Sequence, residues 1–468
     1  MDISHENTPL LDALLDHIRM DPAPFHMPGH KGRMKAFEDM ASVAALDVTE
    51  LPDTGDAYAG ADPWTGELDP IAQAEDLWAD AWGFRHCQFL TCGSTQGLHA
   101  ALLLCAREGG AILVDRCSHR SVYNALAMWD LWPTYLVRRP DEPVSPRQLL
   151  GALQAMERGG QKVTSVCITS PTYYGVLSNV PLLAQVAHEH GAKLIVDAAH
   201  GCHLPFLLEE NPFRGADLVV TSAHKTLPVY GQGALLFANE SCTPRDLRWA
   251  ASVCGTSSPS YPIMASMDYA RAQLESPRGL QALQDTAAAV DELRREFLCA
   301  DMGPDRHALT GPDMDPLRLT LTVDAVVADG YQVKEYLERM GVFPEMADRD
   351  HLVFLLGPEN TPRDLDRLQK RLRQAGKAWF GVFGRPRPLS SPPEPDVVLS
   401  PAQALKAPRR LAPLDESEGM VCLQQVAPYP PGVPVIAPGE RVTKKGLAYL
   451  RDVGYNGSQD VYVLDENR

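Results

Sequence analysis

The chain is short of positive charge, has no paired-cysteine spacing and has no long apolar run; each shortage removes a class of protein. Lys and Arg number 43 against 60 Asp and Glu, a net charge of −17. A nucleic-acid binder concentrates basic residues to neutralise phosphates, so nucleic acid is excluded as the main partner. The acidic balance is mildly compatible with a small cationic substrate, but acidic proteins are common enough that the ordinary reading prevails. The ten cysteines include no CxxC pair, and Cys105, Cys167 and Cys202 sit in apolar surroundings. Neither a zinc site nor a disulfide framework is expected. No apolar run approaches the roughly 20 residues that span a bilayer. The opening MDISHENTPLLDALLDHIRM (1–20) lacks the basic start and apolar core of a secretory leader. These absences imply a cytoplasmic protein with reduced thiols, no membrane partner and no metal.

What is present is a globular composition, 45% hydrophobic and 22% charged, in a chain of 468 residues that needs more than one core. From about 87 to 238, short apolar runs alternate with helix-like segments such as 95–107 and 145–158. The runs are QFLT (88–91), AILVD (111–115), TYLV (134–137), VTSVCIT (163–169), AKLIVD (192–197), ADLVV (216–220) and ALLFA (234–238). Several are apolar at every position, as required of strands covered on both faces, so the pattern predicts an α/β fold with a mostly parallel seven-stranded sheet. After about 270 comes a long helical stretch (280–298), then LRLTLTV (317–323), HLVFLLG (351–357) and a second helix (361–376), which predicts a smaller α+β domain. GRPRPLSSPPEPD (384–396) reads as a linker.

Ligands of open α/β sheets bind beyond the carboxyl ends of the strands. Three such ends carry polar groups that make sense together. LTCGSTQG (90–97) ends a strand and opens a helix with Gly93, Ser94 and Thr95, a cradle suited to a phosphate, although taken singly these residues favour a plain helix cap. AKLIVDAAHG (192–201) puts Asp197 at a strand end with His200 three residues on. SAHKT (222–226) presents Ser222, His224 and Lys225 after an apolar strand, where a lysine is costly unless it has work to do. Cradle, carboxylate and lysine are the parts that hold pyridoxal 5′-phosphate: Lys225 for the Schiff base, Asp197 to keep the pyridine nitrogen protonated. His119, in DRCSHRS (115–121), follows another strand end and could stack on the ring.

In this order of motifs the sequence resembles the Orn/Lys/Arg decarboxylase family, pyridoxal-phosphate enzymes of the aspartate-aminotransferase fold (fold type I). FHMPGHKGR (25–33), DVTELPD (47–53), TCGSTQG (91–97), SPTYYGV (170–176), DAAHG (197–201), SAHKTLP (222–228), TSSPSYPIMASMD (256–268), PEMAD (344–348), LSPAQAL (399–405) and APYPPGVPVIAPGE (427–440) carry the likeness along nearly the whole chain. The resemblance implies Lys225 as the Schiff-base lysine, Asp197 as the pyridinium partner, His119 as the ring stacker and His200 near the ring oxygen. It gives Ser94, Thr95, Ser222 and His224 to the phosphate. It further implies a homodimer or higher homo-oligomer with a shared site, in which Thr256, Ser257 and Ser258 reach the partner's phosphate. The implied layout is an N-terminal arm (1–50), a large cofactor-binding domain (51–275), a small α+β domain (276–383), and a linker with a C-terminal segment (384–468). By this resemblance it looks like the short form, without the N-terminal wing of the large members. Two stretches depart from the family pattern: TLPVYGQG (226–233), and the loop after Glu50 with Tyr58 and Trp64.

The implied activity is decarboxylation of a basic amino acid to a di- or polyamine precursor. Glu50 and Asp53, with Asp47 and Asp56, form an acidic loop, and Glu345 is a further carboxylate; these are the candidates for a distal ammonium or guanidinium group, arginine ahead of lysine and ornithine. Each carboxylate reads equally as a solvated charge. Two rivals share the fold: an aminotransferase or other pyridoxal-phosphate enzyme, with Arg349 or Arg363 for an α-carboxylate, and a catalytically silent homologue.

Overall fold

The structure, a computed structural model, describes residues 17, 19–31, 58, 69–297, 313–383, 390–428, 432–455 and 459–466. After the short strand β1 (Ala23–Phe25), seven strands build the large sheet: β2 (His86–Leu90), β3 (Ala111–Asp115), β4 (Pro133–Leu136), β5 (Val163–Thr169), β6 (Lys193–Asp197), β7 (Leu218–Thr221) and β8 (Ala234–Ala238). Their spatial order is β2-β8-β7-β6-β5-β3-β4, and only β8 runs against the others. All seven expected strands are present and the sheet is mostly parallel, as expected.

Helices cover both faces, which explains why the strands are apolar at consecutive positions. On β6, Leu194 and Val196 enter one core while Ile195 enters the other. The first core includes Trp82, stacked on Phe237 with ring centroids 4.1 Å apart and on Phe213 at 5.4 Å. The second packs Leu98, Leu102, Val122 and Tyr123 from the helices Gly93–Glu108 and Arg120–Met128 against the opposite face.

Two further large cores lie beyond the sheet, besides a small cluster of Tyr174, Met346 and Val353. In the smaller α+β unit, β9 (Arg318–Thr322), β10 (Val342–Pro344), β11 (Met346–Ala347) and β12 (His351–Leu355) pack with the helices Pro277–Phe297 and Pro362–Ala378. The N-terminal segment belongs to this unit, because β1 pairs in parallel with β10 and Phe25 meets Phe354 edge-on. After the linker, β13 (Arg409–Pro413) and β14 (Asp460–Leu464) form an antiparallel pair over a core of Leu414, Cys422, Ile436, Leu447 and Val463. This last unit is tied to the large sheet by a buried bidentate pair, Arg116 to Glu440 at 2.6 and 2.8 Å. Removing either partner would strand a buried charge. No helix among the described residues is long and apolar enough to cross a membrane.

Candidate active site

The parallel strands place their carboxyl ends along one edge, and a cavity of about 310 Å³ opens there. Asp197 closes β6 directly beside Thr169 of β5, the two being register partners. Lys225 follows β7 on a single helical turn, Ala223–Thr226. Gly93, Ser94, Thr95, His119, Asp197, His200, Ser222, His224 and Lys225 all line this one cavity, although the sequence spreads them over more than a hundred positions.

Each is held by identifiable local chemistry. Gly93 adopts φ +75°, a turn that favours glycine, and opens the helix Gly93–Glu108, whose capping residue, Cys92, gives it no side-chain bond. Ser94 and Thr95 therefore sit inside the first turn, so the plain-cap reading of these residues does not hold. The helix end is left to an anion. His119 instead caps its own helix, accepting from the Ser121 N–H through Nδ1, with Ser121 Oγ at 2.8 Å. Burial lowers its pKa to about 4, and the neighbouring Lys225 adds to the fall, so the ring is neutral. His224 is anchored to the Gly233 carbonyl at 2.9 Å and is likewise pushed by burial to about 4.

The charges at the centre are unusual for groups so deep. Burial lowers the Lys225 ammonium below its usual range, with Asp197 and Glu345 opposing the fall and Arg318 adding to it. Lys225 Nζ lies 3.2 Å from His200 Nε2. His200 is driven well below the ordinary histidine range by burial first and Lys225 second. Burial raises Asp197 to about 6 against the pull of Lys225 and of the Ala199 N–H, and Asp115 adds to the rise.

Several polar atoms on this cavity wall are buried without a partner: Ser222 Oγ, Thr169 Oγ1 and His200 Nδ1. A fold does not leave such donors and acceptors unsatisfied unless a ligand completes them. An uncapped helix end, a lysine of lowered pKa, a buried carboxylate and a neutral imidazole fit pyridoxal phosphate, with its phosphate, aldehyde, pyridine nitrogen and ring face.

The remaining expected residues are distributed differently. Glu345, between β10 and β11, accepts from the Met27 N–H at 2.8 Å and from the Tyr173 hydroxyl, and Met27 and Tyr173 both line the cavity. Thr256, half-buried, and Ser257, exposed, follow the helix Pro244–Cys254 outside the cavity of their own chain. Glu50 and Asp53, with Asp47 and Asp56, lie outside the described residues. Arg349 pairs with Asp452 and Arg363 with Asp21, and neither lines this cavity; Arg349 lines a neighbouring one that shares Cys117, Pro140, Tyr174 and Val433 with it.

Sequence reasoning missed four wall residues, Arg138, Thr169, Tyr173 and Gln232, and the buried Asp115 behind the first of them. Asp115 ends β3 as Asp197 ends β6, and it is locked to Arg138 by bonds of 2.6 and 3.1 Å; the strand-end position was the available signal. Thr169 ends β5 in the same way. Tyr173 meets His200 edge-on at 4.9 Å, and the Gln232 carbonyl accepts from the Gly93 N–H at 2.9 Å; both lie in stretches the sequence singled out, but their places on the wall depend on distant segments coming together.

Comparison with known proteins agrees with this geometry. The Orn/Lys/Arg decarboxylase major-domain model matches residues 8–304, and the model of that family's C-terminal domain matches 390–456. The chain belongs to the Orn/Lys/Arg decarboxylase family. As a member it is a pyridoxal-phosphate-dependent carboxy-lyase of the basic-amino-acid class. It is 32% identical to the Bacillus subtilis protein YaaO, over 95% of this chain and 94% of that protein. An arginine decarboxylase of Halalkalibacterium halodurans is 27% identical, over 96% and 93%. Lysine decarboxylase A from Pseudomonas aeruginosa shares the fold with a TM-score of 0.74 at 19% identity, covering 98% of this chain and 80% of that one.

Proposed function

We propose that this decarboxylase acts on arginine, as a cytoplasmic homodimer. The observation that carries the reading is Glu345, a carboxylate fixed by Met27 and Tyr173 beside the cavity that holds Lys225. A carboxylate fixed at both oxygens presents its outer lone pairs in one plane, which suits a flat guanidinium better than a compact ammonium. The arginine-specific name of the relative from Halalkalibacterium halodurans, matched over nearly its full length, supports the same choice.

When bound, pyridoxal phosphate supplies the electron sink that accepts the pair left behind as CO2 departs. The chain's own residues do the rest. Lys225 holds the cofactor and, with its proton affinity lowered, moves a proton between Nζ and the substrate carbon. His200 Nε2 shares that proton with Nζ. Asp197 would hold the ring nitrogen in its protonated form, His119 would stack on the ring, and Ser94, Thr95, Ser222 and His224 would bind the phosphate. Thr256 to Ser258 reach the phosphate of the partner subunit, and Glu50 and Asp53 assist Glu345 at the mouth.

The test is CO2 release from arginine, lysine and ornithine, compared by kcat/KM, with light scattering at assay dilution. Arginine is expected first and the dimer is expected to persist. Preference for lysine or ornithine by tenfold or more would overturn the substrate, and a fully active monomer would overturn the shared site.

A further inference from the structure

The PGHKG turn has no role in the chemistry above, yet it touches the residues on either side of Lys225. The Gly29 N–H donates to the His224 carbonyl at 2.8 Å. A Cβ at Gly29 would stand 2.4 Å from Leu227 O, 2.6 Å from Leu227 N and 2.6 Å from the Thr226 carbonyl carbon. All three are backbone atoms, so no rotamer change could make room. Gly29 thus brackets Lys225, bonded to the residue before it and pressed on the residues after it.

Two positions on, Lys31 is 5% exposed, and its ammonium donates to the His26 carbonyl at 2.7 Å and to the Leu355 carbonyl, at the end of β12, at 2.8 Å. Lys31 does not line the cofactor cavity. A buried ammonium is costly to desolvate, and two carbonyls compensate it only while both stay in place. The third component is Gly357, just past β12, whose Cβ would lie 3.2 Å from Thr226 O and 3.9 Å from both Gly29 O and Lys31 Cε. The turn, the lysine loop and the end of a small-domain strand therefore meet within a few ångströms. The segment just before the turn also carries the Met27 N–H that orients Glu345.

We infer that Gly29 and Lys31 are positioning residues, a clasp that fixes the Lys225 loop at one setting against the small domain. The inference rests on Lys225 being the cofactor lysine. Gly29 sets where the Lys225 backbone sits, and Lys31 keeps the turn itself from sliding relative to β12.

The experiment uses the holoenzyme with Gly29→Ala and Lys31→Met. It reads the visible absorbance of the bound cofactor across pH, cofactor loss on dilution, thermal unfolding of the cofactor-stripped protein, and kcat with KM. Gly29→Ala is expected to shift the absorbance-against-pH curve, to release cofactor faster and to lower kcat on the order of 100-fold, as when a reacting group moves by about 1 Å. Lys31→Met is expected to shift the same curve in the same direction by less, with a raised KM because Glu345 loses its setting. Folded variants with the wild-type absorbance curve and cofactor release overturn the clasp, and so does lowered thermal stability with both of those unchanged. If Gly29→Ala does not fold, Lys31→Met decides by the same readings. A wild-type protein that decarboxylates no basic amino acid would sink the substrate assignment, while the absorbance and release measurements would still judge the clasp.

Discussion

Lys225 Nζ and His200 Nε2 face each other at 3.2 Å, close enough to share one proton and too close for both to be charged. Burial depresses both groups, and the charge of Lys225 lowers His200 further. The lowered proton affinity of Lys225 favours the form with a nucleophilic lone pair more than in an exposed lysine.

The first expectation concerns that lone pair. Lys225→Ala should purify as a folded, colourless protein with no measurable turnover, since neither His200 nor His224 can form the covalent link. Absorbance spectra and circular dichroism of the two proteins side by side decide it. A variant that keeps the wild-type colour and rate would remove Lys225 from the chemistry.

Asp197 gives a pH dependence. In the cofactor-free protein its pKa stands at about 6 against an ordinary 3.8. A proton held more tightly in the folded state stabilises below the ordinary value, and that contribution is lost as pH rises through about 6. A pyridinium N–H reverses the balance, because it needs the carboxylate ionised. Cofactor affinity should therefore rise between about pH 5 and pH 7 and then level off. In Asp197→Asn this component of the rise should disappear, along with most of the turnover. Cofactor titrations by fluorescence at several pH values measure it; parallel curves for the two proteins would refute the assignment.

Glu345 separates substrate binding from cofactor binding. Glu345→Gln keeps an acceptor for Tyr173 and removes the charge. A charge-assisted bond is worth about 1.5–3 kcal/mol, so KM for arginine should rise roughly 10- to 100-fold. The bound-cofactor spectrum should stay as it was. An unchanged KM would transfer the cation to other carboxylates.

Far from the site, Glu75 on the helix Pro70–Trp82 is buried and accepts from the Phe89 N–H at 2.8 Å and from Gln88 at 2.6 Å. Burial lifts its pKa from 4.5 to about 8. The stabilisation it lends is complete below pH 4.5 and is lost as pH climbs through about 8. The loss is on the order of a few kcal/mol. Glu75→Gln should abolish this alkaline decline, so urea melts at about pH 9 should favour the variant and those at about pH 6 should not. A wild-type protein no weaker at about pH 9 than at about pH 6 would count against a buried, neutral Glu75.

The sheet was legible in the sequence because a parallel strand covered on both faces must be apolar throughout, and runs such as KLIVD and ALLFA contain little else. The centre of the site was legible for a related reason. Asp197 and Lys225 are polar groups at the ends of apolar strands, a conflict visible without coordinates. Arg138, Tyr173 and Gln232 were not legible, because each acquires its place from a segment distant in the chain. The same holds for β1, three residues long, whose pairing with β10 spans more than 300 positions. PGHKG stood out as a motif, but its contact with the Lys225 loop is a fact of closure, and no periodicity encodes that.

The one-sided layout of the large sheet has a practical corollary. The parallel strands β3, β5, β6 and β7 end in Asp115, Thr169, Asp197 and Thr221 at the same edge, and the chain re-enters these strands from the opposite edge. At that opposite edge the exposed residues Gly159 and Gly160 join the helix Pro146–Arg158 to the start of β5. A peptide tag, a fluorophore or an inserted domain grafted at this glycine pair would be separated from the cofactor by the full length of a strand. The molecule thus offers a handle for immobilisation or labelling that leaves its reactive edge untouched.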